Sequence, residues 1–367
     1  MKVLHVSGSN SWGGNEQQLL DLAIGLKKLK VESNILCIAN STLQKKVESH
    51  GFKCYTLPSK KKLYLNYAKC LKHLVKQLKP NVIHLHTSNS VTLYVIADIL
   101  FNIKIPTIFT KKGISGNMSL LSIYKYNYKN INKVICVSKA VEIALKNVYK
   151  SKNHHKLCVV YDGITTERSE RKNTLDLREE FNISKDSILV GNIANHSNAK
   201  DLSTMVKTAN ELIHNLGFNN VHFIQIGREG KNTEVFMPLI KEYDLENYFT
   251  FTGFLEHAME LLPQFDVFLM TSEREGLPLT IYEAFLYNIP VVSTKAGGIP
   301  EAVENEYNGL LSEVKDANHL ALNLKDLIEN PNKRKLFAER SYKLLFEKFT
   351  ADQCAANTLK VYEQAIN

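Results

Sequence analysis

The sequence predicts an α/β protein built from two doubly wound, Rossmann-like domains in tandem. Short apolar runs alternate with amphipathic stretches along the chain, the mark of βαβ units and a parallel sheet. The series is interrupted by the polar and charged stretch Thr165–Asn173 and then starts again. The 367 residues, 44% hydrophobic and 23% charged, suit two domains of ordinary globular composition, each long enough for its own core.

In the first domain, residues 1–165, strands are expected at 2–7, 33–39, 53–57, 82–86, 106–110 and 133–137, with a last one near Val159–Ile164. Helices are expected at 15–30, 42–50, 63–79, 90–101 and 139–149. In the second domain, residues 166–345, strands at 187–193, 221–226, 249–252, 266–270 and 290–294 alternate with helices at 201–215, 232–243, 257–263 and 278–287. The tail from Asn318 reads as helical, broken at Pro331 and near Phe349, and residues 346–367 are expected to pack back on the first domain as a C-terminal helix. Two such domains in tandem are expected to face each other across a cleft.

The chain runs from Met1 straight into a strand-like segment, without the apolar stretch of a leader, and no apolar run reaches the roughly 18 residues of a membrane span. A cytoplasmic protein is expected. Cys37, Cys54, Cys70, Cys136, Cys158 and Cys354 are scattered singly, which suits reduced packing residues rather than a disulfide scaffold or zinc site.

Charge is uneven. Residues 1–165 hold 25 Lys+Arg against 7 Asp+Glu, and residues 166–367 hold 21 against 30. A basic first half points to a polyanionic partner, and Lys60, Lys61, Lys62, Lys69, Lys72, Lys76 and Lys79 lie on a Leu/Tyr-containing helical stretch that suits an anionic membrane surface. The same lysines also suit a solvated face. Nucleic acid is not an expected partner, because no binding motif or aromatic strand platform accompanies them.

The chemistry-bearing segment is Ser272-Glu273-Arg274-Glu275-Gly276-Leu277-Pro278-Leu279-Thr280-Ile281-Tyr282-Glu283-Ala284, directly after an apolar strand. Gly276 permits a tight turn, Pro278 fits the first helical position, and the free N–H groups after it form an anion site suited to a diphosphate. Glu275 precedes the helix and Glu283 lies in its second turn, so the two carboxylates can reach different parts of one ligand, and acceptor-only carboxylates suit paired sugar hydroxyls. Taken alone, such a pair also fits an exposed helix residue and a loop charge.

This block, continued by Asn288-Ile289-Pro290-Val291-Val292-Ser293-Thr294 and Gly297-Gly298-Ile299-Pro300-Glu301, resembles the family 4 glycosyltransferases, retaining enzymes of the GT-B fold, whose signature is Glu, seven residues, Glu, a helix and a proline-led strand. The resemblance extends over almost the whole chain. Gly13-Gly14-Asn15-Glu16 resembles the family's glycine-rich loop, which borders donor phosphates and acceptor. Ile83-His84-Leu85-His86 resembles the fourth-strand motif, Val137-Ser138-Lys139-Ala140 the closing strand and helix, and Asp162-Gly163-Ile164 the domain junction.

The resemblance implies a nucleotide-diphosphate sugar as donor, bound in the second domain, and a glycan or lipid-linked acceptor at the first. Glu275 would hold the sugar, Glu283 the ribose hydroxyls, and Lys200 with the Gly276–Leu279 backbone the diphosphate. It further implies a hexosyltransferase reaction with retention of anomeric configuration, in a setting such as surface polysaccharide or lipopolysaccharide synthesis.

Two positions depart from the pattern. Lys200, in the loop Gly191–Asp201, fits the family's diphosphate-binding Lys, but its Arg position is Asn195, which removes a full positive charge; Arg228, in Ile226-Gly227-Arg228-Glu229-Gly230, is a candidate to compensate. After the strand at 106–110, where many members place a His that reaches the transferred sugar, the chain reads Thr110-Lys111-Lys112-Gly113. Lys112 can replace that His as a hydrogen-bond donor, though it is a poor general base unless its pKa is depressed.

The chain contains no Asp-x-Asp triplet for a carboxylate–metal clamp, so a reaction without a metal or other cofactor is expected. His84 and His86 share one strand face, the geometry of a packed strand end or of a partial ligand pair. The reading from another class is a catalytically impaired module that binds a nucleotide-sugar or an anionic membrane, with Asn195 and Lys112 marking a lost active site.

Overall fold

The computed structural model describes residues 1–57, 64–114, 119–170 and 173–367. Two compact units emerge, one comprising Met1–Thr165 with Lys348–Asn367 and the other Thr166–Glu347. Lys60, Lys61 and Lys62 of the lysine cluster, and residues 171–172 of the polar boundary stretch, lie outside the described residues.

The first unit alternates β1 (Lys2–Val6), α1 (Gly14–Lys28), β2 (Glu32–Ile38), α2 (Thr42–Ser49), β3 (Lys53–Leu57), α3 (Tyr64–Leu78), β4 (Val82–Leu85), α4 (Ser88–Phe101), β5 (Thr107–Lys111), α5 (Leu120–Tyr126), β6 (Lys133–Cys136), α6 (Lys139–Lys146) and β7 (Leu157–Val159). The described strands form one parallel sheet in the order β3-β2-β1-β4-β5-β6-β7. The order reverses between β1 and β4, and in such sheets the crevice for ligands opens beyond the strands' carboxyl ends at that point.

The second unit contains α7 (Leu177–Glu180), β8 (Ile188–Ile193), α8 (Leu202–Asn210), β9 (Val221–Ile226), α9 (Thr233–Glu242), β10 (Phe249–Gly253), β11 (Val267–Met270), α10 (Leu279–Leu286), β12 (Val291–Thr294), β13 (Gly309–Ser312), α11 (Ala317–Glu329) and α12 (Pro331–Lys348). Its parallel sheet has the order β10-β9-β8-β11-β12-β13 and reverses between β8 and β11.

Parallel strands are covered on both faces and read as continuous apolar runs. Every residue of β11 and β12 is buried accordingly. Side-chain caps start the helices where polar residues stand ready: Ser41, Ser138 and Thr350 accept backbone N–H groups, and Thr87 forms a capping box with Ser90.

The last helix, α13 (Ala351–Ile366), belongs to the first unit and packs along α1. Its Ala355, Val361 and Tyr362 join Leu22 and Leu26 in one buried cluster. Gly25 allows the approach, because a Cβ there would lie 2.7 Å from the Ala351 carbonyl oxygen and 2.8 Å from Ala355 Cβ. Burying side chains such as Val361 and Leu26 contributes about 1.5–3 kcal/mol each.

Several elements differ from the sequence expectation. α5 and β13 were not anticipated. β13 is a four-residue strand opening on glycine, and α5 is a single seven-residue stretch, so each is too short to show a period. The helix expected at 201–215 is α-helical only to Asn210 and continues as a π-turn, Glu211–Asn215. Residues Ala258–Gln264 form 3-10 turns rather than an α-helix, consistent with Pro263 removing a donor. Pro278 is the N-cap of α10, one position before the helix.

The lysine-bearing helix α3 uses its apolar side at home. Tyr67, Ala68, Leu71 and Leu74 are buried in the core of the first sheet, leaving Lys69, Lys72 and Lys76 exposed. Tyr67, Leu71 and Leu74 of this helix are therefore not available to a membrane, whereas Leu65 is 56% exposed. Among the described residues no helix is long and apolar enough to cross one.

Candidate active site

In the second unit the loop after β11 and the loop after β8 meet at the point where the strand order reverses. Thr271 and Ser272 are fully buried at the end of β11, and the Thr271 hydroxyl donates to the carbonyls of Lys200, at 3.3 Å, and Asp201, at 3.0 Å. Glu273 N–H donates to Ala199 O at 2.8 Å. These bonds hold the two loops against each other and bring together side chains far apart in sequence.

Their product is a compact polar cluster. Lys200 Nζ lies 2.6 Å from Glu275 Oε1, and Ser272 Oγ donates to the same oxygen at 2.7 Å. The Lys200 and Glu275 side chains retain only 23% and 12% of their exposure, so the pair is largely shielded from water. Gly297 closes the cluster from below: its φ is +55°, and a Cβ would fall 1.9 Å from the Glu275 carbonyl oxygen.

Gly276, Leu277 and Pro278 are buried and lead into α10, which starts at Leu279 without a side-chain cap. The Thr280 hydroxyl in its first turn is buried and unpartnered among the described residues. Glu283 is 8% exposed on α10, and its Oε1 accepts a hydrogen bond from Arg168 Nη2 at 3.3 Å. Arg168 sits in the 3-10 segment Thr166–Glu170, at the beginning of the second unit.

Asn195 is exposed, and its side-chain oxygen accepts the Arg228 backbone N–H at 3.0 Å. The Arg228 guanidinium lies 4.1 Å from the centroid of the Phe254 ring. Arg228 is thus held over an exposed aromatic face, while Asn195 shapes the loop. Neighbouring His196 is fixed by Gln225, at 2.8 Å, and Thr233, at 2.7 Å.

The first unit places Gly13 as the N-cap of α1 in extended backbone, with no heavy atom closer than 3.8 Å to where a Cβ would stand, so neither φ nor space demands glycine there. Gly14 opens the helix. Lys112 follows β5, is half-buried, and donates to the Asn15 carbonyl at 3.3 Å, which ties it to the glycine loop. Burial lowers the Lys112 pKa, opposed by the negative charge of Asp162, Glu16 and Asp21 nearby. Burial likewise pushes Asp162 up to about 6, and raises Glu16.

Lys112, Asp162, Gln18, His86 and Thr110 line one small internal cavity. Beside it, His5, His84 and His86 gather, their candidate ligand atoms within 4.8 Å of one another. His84 is bonded on both nitrogens, to Thr110 Oγ1 at 2.6 Å and Tyr362 OH at 2.7 Å, and His5 Nδ1 meets His86 Nε2 at 3.0 Å. A metal would have to displace those bonds. Burial holds His84 and His86 well below the usual histidine range, and His5 down to about 3, so the three rings are neutral.

Among the residues singled out in the sequence, Lys200, Glu275, Gly276, Leu277, Pro278, Leu279 and Glu283 share one end of the second sheet, with Asn195 and Arg228 on the adjoining loop. Gly13, Gly14 and Lys112 form a separate group in the first unit. Sequence reasoning missed Ser272, Thr280, Arg168 and His5. Ser272 and Thr280 stood within the quoted motif, whereas Arg168 and His5 gave no local signal.

Residues 12–168 match the family model Glycosyltransferase Family 4, and residues 173–344 match Glycosyl transferases group 1. The chain is 24% identical, over an alignment 378 positions long, to the O-antigen biosynthesis glycosyltransferase WclY of Escherichia coli, covering 99% of this chain and 98% of that protein. It is 24% identical over 203 residues to N-acetyl-alpha-D-glucosaminyl L-malate synthase of Bacillus anthracis, 55% of this chain and 52% of that one, so it spans about half of that relative's length. In fold it is similar to Anabaena Alr3699/HepE, crystallised in complex with UDP-glucose, with a TM-score of 0.84 at 22% identity over 98% of this chain and 99% of that one.

Proposed function

This chain belongs to the group 1, family 4 glycosyltransferases and has the two Rossmann-like domains of the GT-B fold, and we propose from that premise that it moves a sugar from a nucleotide-diphosphate sugar to a glycan or lipid-linked acceptor, retaining anomeric configuration. The observation that carries the donor side is the Lys200–Glu275 pair beside the uncapped start of α10. The positive end of a helix and an ammonium together suit a diphosphate.

In this reading Lys200 and the Gly276–Leu279 backbone take the diphosphate, Glu275 the sugar, and Glu283 the ribose hydroxyls. A ligand phosphate then competes with Glu275 for Lys200, freeing the carboxylate for sugar hydroxyls. Ser272 stays on Glu275 and keeps it oriented. Arg228, lying over Phe254, supplies positive charge near the loop where Asn195 supplies none. Lys112 is assigned a hydrogen-bond donor role.

Retention is proposed to follow from the departing phosphate oxygen deprotonating the incoming hydroxyl on the same face. No metal ion is required, because Lys200 and the helix N-terminus meet the diphosphate charge, and turnover is then unaffected by EDTA. The O-antigen enzyme among its relatives supports a role in surface polysaccharide or lipopolysaccharide assembly, with the basic first unit on the acceptor side.

The test is nucleotide-sugar turnover by Glu283→Gln and Lys200→Ala, after a thermal-shift screen has identified the donor. Losses on the order of 10²-fold for Lys200→Ala support the reading. Near-normal rates in both variants overturn it, and donor binding without transfer or hydrolysis in the unaltered protein identifies an impaired binding module.

A further inference from the structure

We propose that α5 and the lysines beside it form a docking surface for an anionic lipid bilayer. α5 is anchored on one side only. Tyr126 is buried and stacks on Phe109, with ring centroids 5.4 Å apart. The opposite side carries Leu120, 85% exposed, Leu121, 81% exposed, and Tyr124, 59% exposed. Two adjacent leucines held almost wholly in water by an ordered helix are an apolar feature that a monomer in solution gains nothing from keeping.

The surroundings specify the partner's charge. Leu120, Ile123 and Tyr124 line a surface groove of about 440 Å³ together with Lys129, Lys150 and Lys152. Those three lysines are exposed and have no ion-pair partner among the described residues. From Leu120 to Lys156 the sequence holds eight lysines and one acid, Glu142, which is already paired with Lys146 at 3.0 Å. A second copy of this chain would bring the same lysines against one another.

Leucine and tyrosine side chains rimmed by unpaired ammonium groups match the layered chemistry of a bilayer surface, apolar chains beneath and anionic headgroups above. Lysine heads reach phosphates while their stems and the leucines lie deeper. α3, whose Tyr67, Leu71 and Leu74 are consumed by the core, offers a single exposed leucine, Leu65, among its described residues. The inference deepens the reading of a lipid-facing acceptor side and rests on that reading for its purpose, but membrane binding and sugar transfer are measured independently.

The experiment is flotation of the full chain with vesicles of phosphatidylcholine alone or enriched in phosphatidylglycerol, at low and high salt. Binding is expected only to the phosphatidylglycerol vesicles and weakens with salt. Leu120→Ser with Leu121→Ser abolishes it, and Lys150→Gln with Lys152→Gln lowers the apparent affinity about tenfold or more. Thermal melts and nucleotide-sugar hydrolysis of both variants stay at the level of the unaltered protein, since the altered side chains are exposed. The proposal is overturned by no binding to anionic vesicles or by equal binding of both variants. It is also overturned by a dimer that the leucine changes convert to monomer without any vesicle binding, which would make a second copy the occupant. Vesicle binding that follows this pattern in a protein without transferase activity would sink the functional reading and leave the docking surface standing.

Discussion

Arg168 Nη2 lies 3.3 Å from Glu283 Oε1, joining the first residues of the second unit to a carboxylate otherwise buried on α10. The side chains keep 22% and 11% of their exposure, so neither charge is fully compensated by water. Removing one partner should leave the other costly. Arg168→Ala is expected to lower unfolding free energy by about 1–3 kcal/mol, reduced from the fully buried case by the remaining exposure. Arg168→Lys should recover part of this. Urea denaturation measures the loss, and unchanged midpoints in Arg168→Ala would contradict it.

Lys200 and Glu275 should act as a coupled pair. A double-mutant cycle with Lys200→Ala and Glu275→Ala is expected to show an interaction of about 1–3 kcal/mol in stability without donor. With donor bound, the diphosphate replaces Glu275 as the lysine's partner. The coupling read from donor affinity should then fall, and additive single effects in the free protein would show that the 2.6 Å contact is energetically idle.

Gly297→Ala should damage fold and site together. Its φ of +55° disfavours a side chain by roughly 1–2 kcal/mol, and the new Cβ would collide with the Glu275 carbonyl oxygen, a backbone atom that cannot rotate away. A loss of about 2 kcal/mol or more is expected in chemical denaturation, with weakened donor binding as the Glu275 loop shifts. Gly13→Ala, in extended backbone with open space, should leave stability within about 0.5 kcal/mol.

Asp162 should give a distinct pH signature. Burial raises its carboxyl from the ordinary 3.8 to about 6. The folded state therefore binds more protons than the unfolded state between those values, so this group's contribution is most favourable below about pH 4 and declines as pH rises toward 6. Asp162→Asn removes that decline. The melting temperature of the variant relative to the unaltered protein should rise across this window, by an amount corresponding to at most about 3 kcal/mol. A difference that is flat with pH would refute the shift.

The repeated strand–helix pattern, the interruption at Thr165–Asn173 and the Glu275–Glu283 spacing were legible because each is local. Parallel strands buried on both faces must be apolar throughout, and a loop that approaches a backbone closely, as at Gly297, must spare a side chain. α5 and β13 escaped notice because seven and four residues show no period, and because the leucines of α5 face outward instead of marking a core.

By itself the sequence determined the two doubly wound domains, the segment that carries Glu275 and Glu283, and the excess of positive charge in the first half. Only the tertiary structure decided which charges meet. Lys200 and Glu275 are 75 positions apart, Arg168 and Glu283 are 115, and His5 and His86 are 81. The first of these pairs arises because the nonconsecutive strands β8 and β11 are neighbours and the loops after them converge, and the third because β1 lies beside β4. The apolar side of α3 shows the same division: its composition alone allows membrane or core, and the packing of Leu71 and Leu74 beneath the first sheet assigns it to the core.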